Sequence, residues 1–425
     1  GGVTCFLDPL LKPKGLAYYI DDTRSLFLIT HLSIQSLTAH IPSYCNIIPI
    51  ESSKRRIEAS IPQQSTPHAF SKNDLCSLYY TSGTTGPPKG VMLSLGNISH
   101  STRYLQDAFF KLQPDDRLIC FVPFSHGFGS MTALLPTIIN GAALIMMRSF
   151  HPRQVLDAID QYGGTHILGV PSHYQQLLRY GEAHEALRKL KFAFCAAAPL
   201  KVSVAQAWWD VTRLILAEGY GCIETSTALS IRYSKIPDPM GEVGFHKSAF
   251  VNIRIKDESG NLRDTPGIRG EIVIKAPSVM MGYFNQPDAT EKAIRRGWYH
   301  SGDLGYFKND GSLVLAGRIK DVINIAGLKI SPLEVESVLN RHPEVIESAV
   351  FGRDDDLYGE VVVACVKKRA DSNLGDRHLI RHAGNYLQPF QVPRDIYFID
   401  RFPRNTIGKI DKVELRKWVM ARSGL

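Results

Sequence analysis

Between residues 97 and 217, short apolar runs alternate with stretches whose apolar residues recur every three to four positions. The runs at 118–122, 142–147, 166–170 and 192–195 have the length and content of buried strands, and 98–112, 153–161 and 202–213 carry amphipathic helical spacing. Parallel strands need a crossover to return the chain, so this alternation predicts a parallel sheet covered by helices. From 241 to 315 the texture changes to short β-type segments, 251–255, 271–275 and 312–316, separated by Gly, Pro and Asp turns, which predicts a small β subdomain. After Gly317 a compact α+β pattern follows: a helix at 332–340, strands near 348–351 and 361–366, a helix at 374–386 and a final strand near 396. The expected architecture is α/β: a large domain of helix-covered sheets with a small β subdomain, then a small mobile α+β C-terminal domain. A length of 425 residues suits two or three such units.

Composition excludes several alternatives. Hydrophobic residues at 44% and charged residues at 21%, with 34 Gly and 24 Pro dispersed along the chain, rule out wholesale disorder, collagen and coiled coil. Lys and Arg exceed Asp and Glu by 49 to 41, a mild basic excess suited to anionic small molecules such as nucleotides or coenzymes. The basic runs at 54–56 and 367–369 are short and lack interleaved aromatics, so no nucleic-acid partner is expected. Seven cysteines without a CxxC pair predict a reduced, cytoplasmic setting with neither a disulfide framework nor a zinc site. The most apolar stretch, 131–147, is broken by Pro136, Asn140 and Gly141, so no transmembrane segment is expected. Residues 1–9 show no basic head followed by an apolar run, and no signal peptide is expected.

The sharpest local signal is YTSGTTGPPKG at 80–90, where five hydroxyls and two glycines precede Lys89 and Gly90 follows it. Glycines admit close backbone approach and positive φ, successive N–H groups can form an anion-binding nest, and hydroxyls add donors. This is not a Walker A loop, because Lys89 is followed by Gly90 and preceded by Pro87 and Pro88, which disfavour a helix there. The string closely resembles the signature of the adenylate-forming superfamily, which includes acyl-CoA synthetases, aryl-CoA ligases, nonribosomal adenylation domains and firefly-type luciferases. Further matches follow in the family's order: FVPFSHGFG at 121–129, AAAPL at 196–200, GYGCIE at 219–224 and GEIVIKAPSVMMGYFNQPDAT at 270–290. WYHSGDLG at 298–305, GRIKDVINIAGLKISPLEVE at 317–336 and PRNTIGKIDKVELR at 403–416 complete the series, which covers nearly the whole chain.

The resemblance implies that a carboxylate attacks the α-phosphate of ATP, giving acyl-AMP and pyrophosphate, and that a thiol then captures the acyl group. Two anions meet at one phosphorus, so catalysis rests on positioning, Mg²⁺ and cationic donors. By the same resemblance Thr81, Ser82, Gly83, Thr84, Thr85 and Lys89 hold the ATP phosphates and Glu224 ligates Mg²⁺. Tyr220 stacks on adenine, Ala197 and Ala198 offer backbone to the base edge, and Asp303 and Arg318 bind the ribose. Lys409 is the expected catalytic residue, offsetting negative charge during adenylation. Lys320 is the hinge, with an AMP-binding domain over 1–317, a hinge over 318–320 and a lid over 321–425. Rotation at the hinge exchanges the face bearing Lys409 for one on which Gly327 and Lys329 line the pantetheine path of CoA.

Amino-acid-activating relatives place an aspartate near the FVPFSHGFG position, whereas this chain has His126 there and no acid nearby. A bare carboxylic acid, fatty or aryl, is the expected substrate, with CoA as acceptor and an acyl carrier protein as the alternative. Two positions depart from the family pattern: Ile223 stands where a threonine hydroxyl is usual, and Ala196 where glycine is usual. They support a second reading, a nucleotide- or acyl-binding relative with little ligase turnover. GGVTCFLDP at 1–9 resembles a segment that lies well inside the family's large domain, so that domain is expected to lack its usual N-terminal portion.

Overall fold

The computed structural model describes residues 2–8, 11–31, 40–50, 69–81, 88–180, 184–238, 241–246, 249–405 and 408–422. Among these residues the strands form five sheets. The six-stranded sheet runs in the order Thr227–Arg232, Leu216–Cys222, Phe192–Cys195, His166–Gly169, Arg117–Cys120, Ala143–Met146. The last five are mutually parallel, and four of them fall on the predicted runs. Helices Pro152–Asp160, Pro171–Arg179 and Val202–Thr212 return the chain between strands. Their apolar stripes close a core in which Tyr174, Phe194 and Trp208 are fully buried. Parallel sheets of this kind present their sites at the carboxyl ends of the strands, where residues 196–200 and 219–224 emerge side by side.

A second sheet of four strands carries the hairpin Leu75–Thr81 and Lys89–Ser94, with Thr81 opposite Lys89. Ser94 then caps helix Leu95–Leu105: its hydroxyl accepts from the Asn97 N–H at 3.1 Å, while the Asn97 side chain accepts from the Ser94 N–H at 2.9 Å. Asn97 Nδ2 also donates to the carbonyls of Pro277 and Val279, tying this helix to the segment leading to Tyr283. The predicted helix over 98–112 thus starts earlier and ends in a π-helical turn, Gln106–Phe110, closed by Lys111 at φ +50°.

The β subdomain is a seven-stranded, antiparallel sheet in which Trp298–Phe307 and Leu313–Arg318 form a hairpin. The C-terminal domain is a five-stranded sheet built on Val345–Asp355 and Gly359–Lys368. Helices Pro332–Leu339 and Asp376–Gly384 pack on one face through Val335, Leu339, Leu379 and Ala383. Helix Lys412–Met420 packs on the other through Leu415 and Val419, its first turn capped by Asp411. Among the described residues no helix is long and apolar enough to cross a membrane.

Candidate active site

Of the glycine-rich loop, Ser82, Gly83, Thr84 and Thr85 lie outside the described residues; Thr81 and Lys89 close its base, the Thr81 hydroxyl facing the Lys89 carbonyl at 3.5 Å. The Lys89 ammonium lies 4.9 Å from the centre of the Tyr283 ring, and the Tyr283 hydroxyl donates to Glu224 Oε1 at 3.0 Å. A cation, an aromatic face and a carboxylate are therefore linked beside the loop. Burial, and then the Glu224 charge, push the Tyr283 hydroxyl pKa upward, so it acts as a fixed donor. Tyr283 was embedded in the 270–290 string without standing out, since a tyrosine in a short strand reads as core.

Strand Leu216–Cys222 and the Trp298–Phe307 hairpin bring three polar side chains together. The Tyr220 hydroxyl donates to Asp303 Oδ2 at 2.9 Å, and Arg318 Nε donates to Asp303 Oδ1 at 2.8 Å from the directly opposed strand position. Both Asp303 oxygens are thus engaged, and the carboxylate is buried. Burial opposes charge on Arg318, but Asp303 and Asp321 outweigh it and hold the guanidinium above its usual value. Ala197 and Ala198 sit half-buried beside this cluster, with Ala197 in the left-handed region at φ +71°. A strained backbone of this kind marks a segment that its surroundings over-determine. The departure at Ala196 sits one residue earlier, its N–H bonded to the Gly169 carbonyl at 3.2 Å and its methyl packed on the core.

The loop 196–200 is anchored by a pair the sequence reading missed. Glu218 Oε1 accepts from the Leu200 N–H at 2.8 Å, and Glu218 Oε2 lies 3.4 Å from Arg232 Nε, both side chains being almost wholly buried. Burial pushes the Glu218 carboxyl up to about 7, with Arg232 opposing. The pair left little signal in the sequence: Glu218 lies among apolar and glycine residues of strand Leu216–Cys222, but Arg232 ends a strand that also carries Thr and Ser.

His126 caps the short helix Gly127–Gly129, its Nδ1 accepting from the Phe128 N–H at 3.1 Å. Burial, then repulsion from Lys409, push its pKa down to about 4, so the imidazole is neutral. With Nδ1 accepting, the proton resides on Nε2, which leaves that atom a donor. Ile223 packs against the β-subdomain core, near Gly127. Thr225 does not replace the hydroxyl missing at 223: it is buried and engaged with the Cys222 N–H and the carbonyls of Cys222 and Thr227.

Lys409 projects from a tight turn in which its N–H donates to Asn405 Oδ1 at 2.9 Å and Arg404 Nη1 donates to the Gly408 carbonyl at 2.7 Å. Gly408 lies against Val170, Ser172 and His173 of the large domain. The Lys409 side chain is solvent-accessible; desolvation by the groups around it, then repulsion from Arg318, lower its pKa to about 8, with Asp303 opposing. Lys409 thus stands within electrostatic reach of Asp303 and Arg318 and of His126. Lys320 lies in the 3₁₀ turn Ile319–Asp321 that follows Arg318, its pKa lowered by desolvation and then by Arg318. Gly327 and Lys329 are not gathered here: they lie on the hairpin Ile323–Ile325 and Leu328–Ile330, where Lys329 meets Glu258 at 3.0 Å in an exposed pair.

A family model described as AMP-binding enzyme matches residues 1–284, and one described as AMP-binding enzyme C-terminal domain matches residues 334–409. The chain belongs to this adenylate-forming family. It is similar to a feruloyl-CoA synthase of Amycolatopsis, 34% identical over 81% of this chain and 70% of the relative. It is also similar to a long-chain-fatty-acid–CoA ligase of Bacillus subtilis, 29% identical over 96% of this chain and 80% of the relative. Among solved structures, ATP-bound MatB from Rhodopseudomonas palustris superposes with a TM-score of 0.91 at 29% identity, over 98% of this chain and 84% of that one. The apo form of the same protein, with the same identity and coverage, gives 0.79.

Proposed function

We infer that this chain is an AMP-forming acid–thiol ligase that activates a fatty or aryl carboxylic acid with ATP and transfers the acyl group to CoA. The observation that carries this is the seating of the turn before Lys409 against Val170, Ser172 and His173 of the large domain, which puts Lys409 within electrostatic reach of Asp303 and Arg318 of the Tyr220–Asp303–Arg318 cluster and of neutral His126. In the first half-reaction a carboxylate oxygen attacks the α-phosphorus, the bond to the β-bridging oxygen breaks, and pyrophosphate leaves. His126 Nε2–H orients the carboxylate, Lys409 offsets charge between carboxylate and phosphate, and Thr81, Lys89 and the loop they close hold the phosphates. Tyr220 with Ala197 and Ala198 binds adenine, and Asp303 with Arg318 binds the ribose. In the second half-reaction the thiolate of CoA attacks the acyl carbonyl, and the bond to AMP breaks.

Glu224, a single carboxylate joined to Lys89 through Tyr283, suits Mg²⁺, which takes one or two carboxylates and fills its shell with phosphate and water oxygens. When bound, the ion would neutralise phosphate charge. The hinge falls at 318–320, between a nucleotide-binding domain over 1–317 and a lid over 321–425; the 3₁₀ turn after Arg318 supports this. The higher similarity to the ATP-bound than to the apo form of MatB supports assigning this arrangement to the first half-reaction.

The test is a panel of long-chain fatty acids, ferulate and 2-succinylbenzoate, with ATP, Mg²⁺ and either CoA or a carrier protein, read by mass spectrometry for acyl-AMP and thioester. One acid is expected to give both species with CoA, and Lys409→Ala to abolish ATP–pyrophosphate exchange while sparing thioester formation from supplied acyl-AMP. Undiminished exchange in that variant overturns the role of Lys409. The missing hydroxyl at Ile223 favours the low-turnover reading, and nucleotide binding without acyl-AMP from any acid would select it.

A further inference from the structure

Lys201 follows the 196–200 loop directly and precedes helix Val202–Thr212, yet its ammonium leaves the large domain. Nζ donates to Asn340 Oδ1 at 2.9 Å and to the Ile346 carbonyl, both in the C-terminal domain. Asn340 ends helix Pro332–Leu339, and Ile346 opens strand Val345–Asp355. The next residue, Glu347, pairs with Arg404, whose Nη1 donates to the Gly408 carbonyl, one residue before Lys409. On the far side of the turn, Lys412 binds Glu336 Oε1 at 2.8 Å and the Val350 carbonyl at 3.1 Å, pinning the same turn to the same strand. On the large-domain side, the neighbouring Leu200 N–H is fixed by the Glu218–Arg232 pair. Polar contacts, linked through adjoining residues of the chain at 200–201, 346–347 and 408–409, therefore join the 196–200 loop to the turn that carries Lys409.

We propose that Lys201 is a positioning residue, the latch that holds the Lys409 turn at the active site and so serves the first half-reaction alone. The proposal rests on the function inferred above. Other contacts cross this junction: Arg269–Glu334 and Lys329–Glu258 are exposed ion pairs, which contribute little, and the Ser331 hydroxyl donates to the Ala316 carbonyl, joining segments that flank residues 318–320 rather than holding the Lys409 turn. Lys201 is half-buried, and its charge-assisted bonds to neutral oxygens are of the stronger kind. It cannot touch the reacting atoms while it is bonded to Asn340 and Ile346, so its effect passes through the position of Lys409. Desolvation lowers its pKa to about 8, with Glu347 and Glu336 favouring its charge and Arg404 and Arg179 opposing it.

The test uses the full chain and the two half-reactions measured separately: ATP–pyrophosphate exchange, and thioester formation from supplied acyl-AMP and CoA. Lys201→Ala is expected to slow exchange by about 10- to 100-fold and to leave thioester formation unchanged or faster. Lys201→Arg, which keeps the charge, restores part of the exchange rate. Asn340→Ala, which removes one acceptor and leaves the lysine, shows the same split at smaller size and carries the test if Lys201→Ala does not fold. Equal losses in both half-reactions, or exchange within about twofold of wild type in both alanine variants, overturn the latch. Lys409→Ala separates the two readings: if it loses exchange while Lys201→Ala keeps it, the latch falls and the function stands. Undiminished exchange in Lys409→Ala overturns both.

Discussion

At the scale of single residues the site is a balance of charges set by burial. His126 is neutral because burial and Lys409 both disfavour its cation, whereas Lys409, its pKa lowered to about 8, is mostly cationic at neutral pH. The sign follows: a lysine with a lowered pKa carries its charge at neutral pH and loses it as pH rises through that value. The kcat/KM for the acid in pyrophosphate exchange, which reports the free enzyme, is expected to hold steady toward neutrality and to fall about tenfold per unit above pH 8. Lys409→Arg, charged throughout this range, should remove the alkaline limb. A profile with the same limb in both proteins assigns it to another group. Sequence alone pointed to Lys409, Asp303, Arg318, Tyr220 and Glu224 through strings whose residue order is fixed by one fold. Tyr283, Glu218, Arg232 and Lys201 escaped it because their meaning lies in partners 14 to 145 positions away, a spacing no local pattern encodes.

At the scale of elements, the parallel strands were legible because burial on both faces leaves continuous apolar runs. The antiparallel edge strand Thr227–Arg232 was not, since its Thr, Ser and Arg are buried by pairing rather than by hydrophobicity. The final helix, Lys412–Met420, was hidden by four charged residues in nine, with only Leu415 and Val419 wholly buried. Even short elements position residues of the candidate site. The three-residue helix Gly127–Gly129 sets the His126 imidazole, and it fits only because a Cβ on Gly129 would lie 2.3 Å from the Pro123 carbonyl oxygen and 2.6 Å from that of Val122. Both obstacles are backbone, so the turn must shift rather than a side chain. Gly129→Ala is expected to lower stability by roughly 3 kcal/mol, in the range of overpacked cores, and to depress acid activation as the His126 cap is displaced. Gly384→Ala, where a Cβ meets nothing within 4 Å at the end of helix Asp376–Gly384, is the control and should be neutral or stabilising by up to about 1 kcal/mol. Equal denaturant midpoints for the two variants would rule out this packing argument.

At the scale of the whole molecule, two faces of the C-terminal domain carry two sets of residues, and only one set is at the site. Lys409 stands with Asp303 and Arg318, while the hairpin bearing Gly327 and Lys329 points to solvent. This division follows from the sheet: the Lys409 turn leads into the last helix on one side, and the 323–330 hairpin is an edge on the other. If rotation about 318–320 brings that hairpin to the nucleotide for thioester formation, bulk at Gly327 should harm the second half-reaction alone. A Cβ on Gly327 meets nothing within 4 Å, so the first conformation has room for a large side chain. Its φ of +89° strains any L-residue by about 1–2 kcal/mol, which is why alanine and leucine must be compared. Gly327→Ala carries the strain without the bulk, and Gly327→Leu carries both. Pyrophosphate exchange is expected within about twofold of wild type in each, whereas thioester formation from supplied acyl-AMP should fall about 100-fold more in leucine than in alanine. Matching losses in alanine and leucine would assign the effect to backbone strain, and loss of exchange in either would remove the separation of faces on which the two-step reading depends.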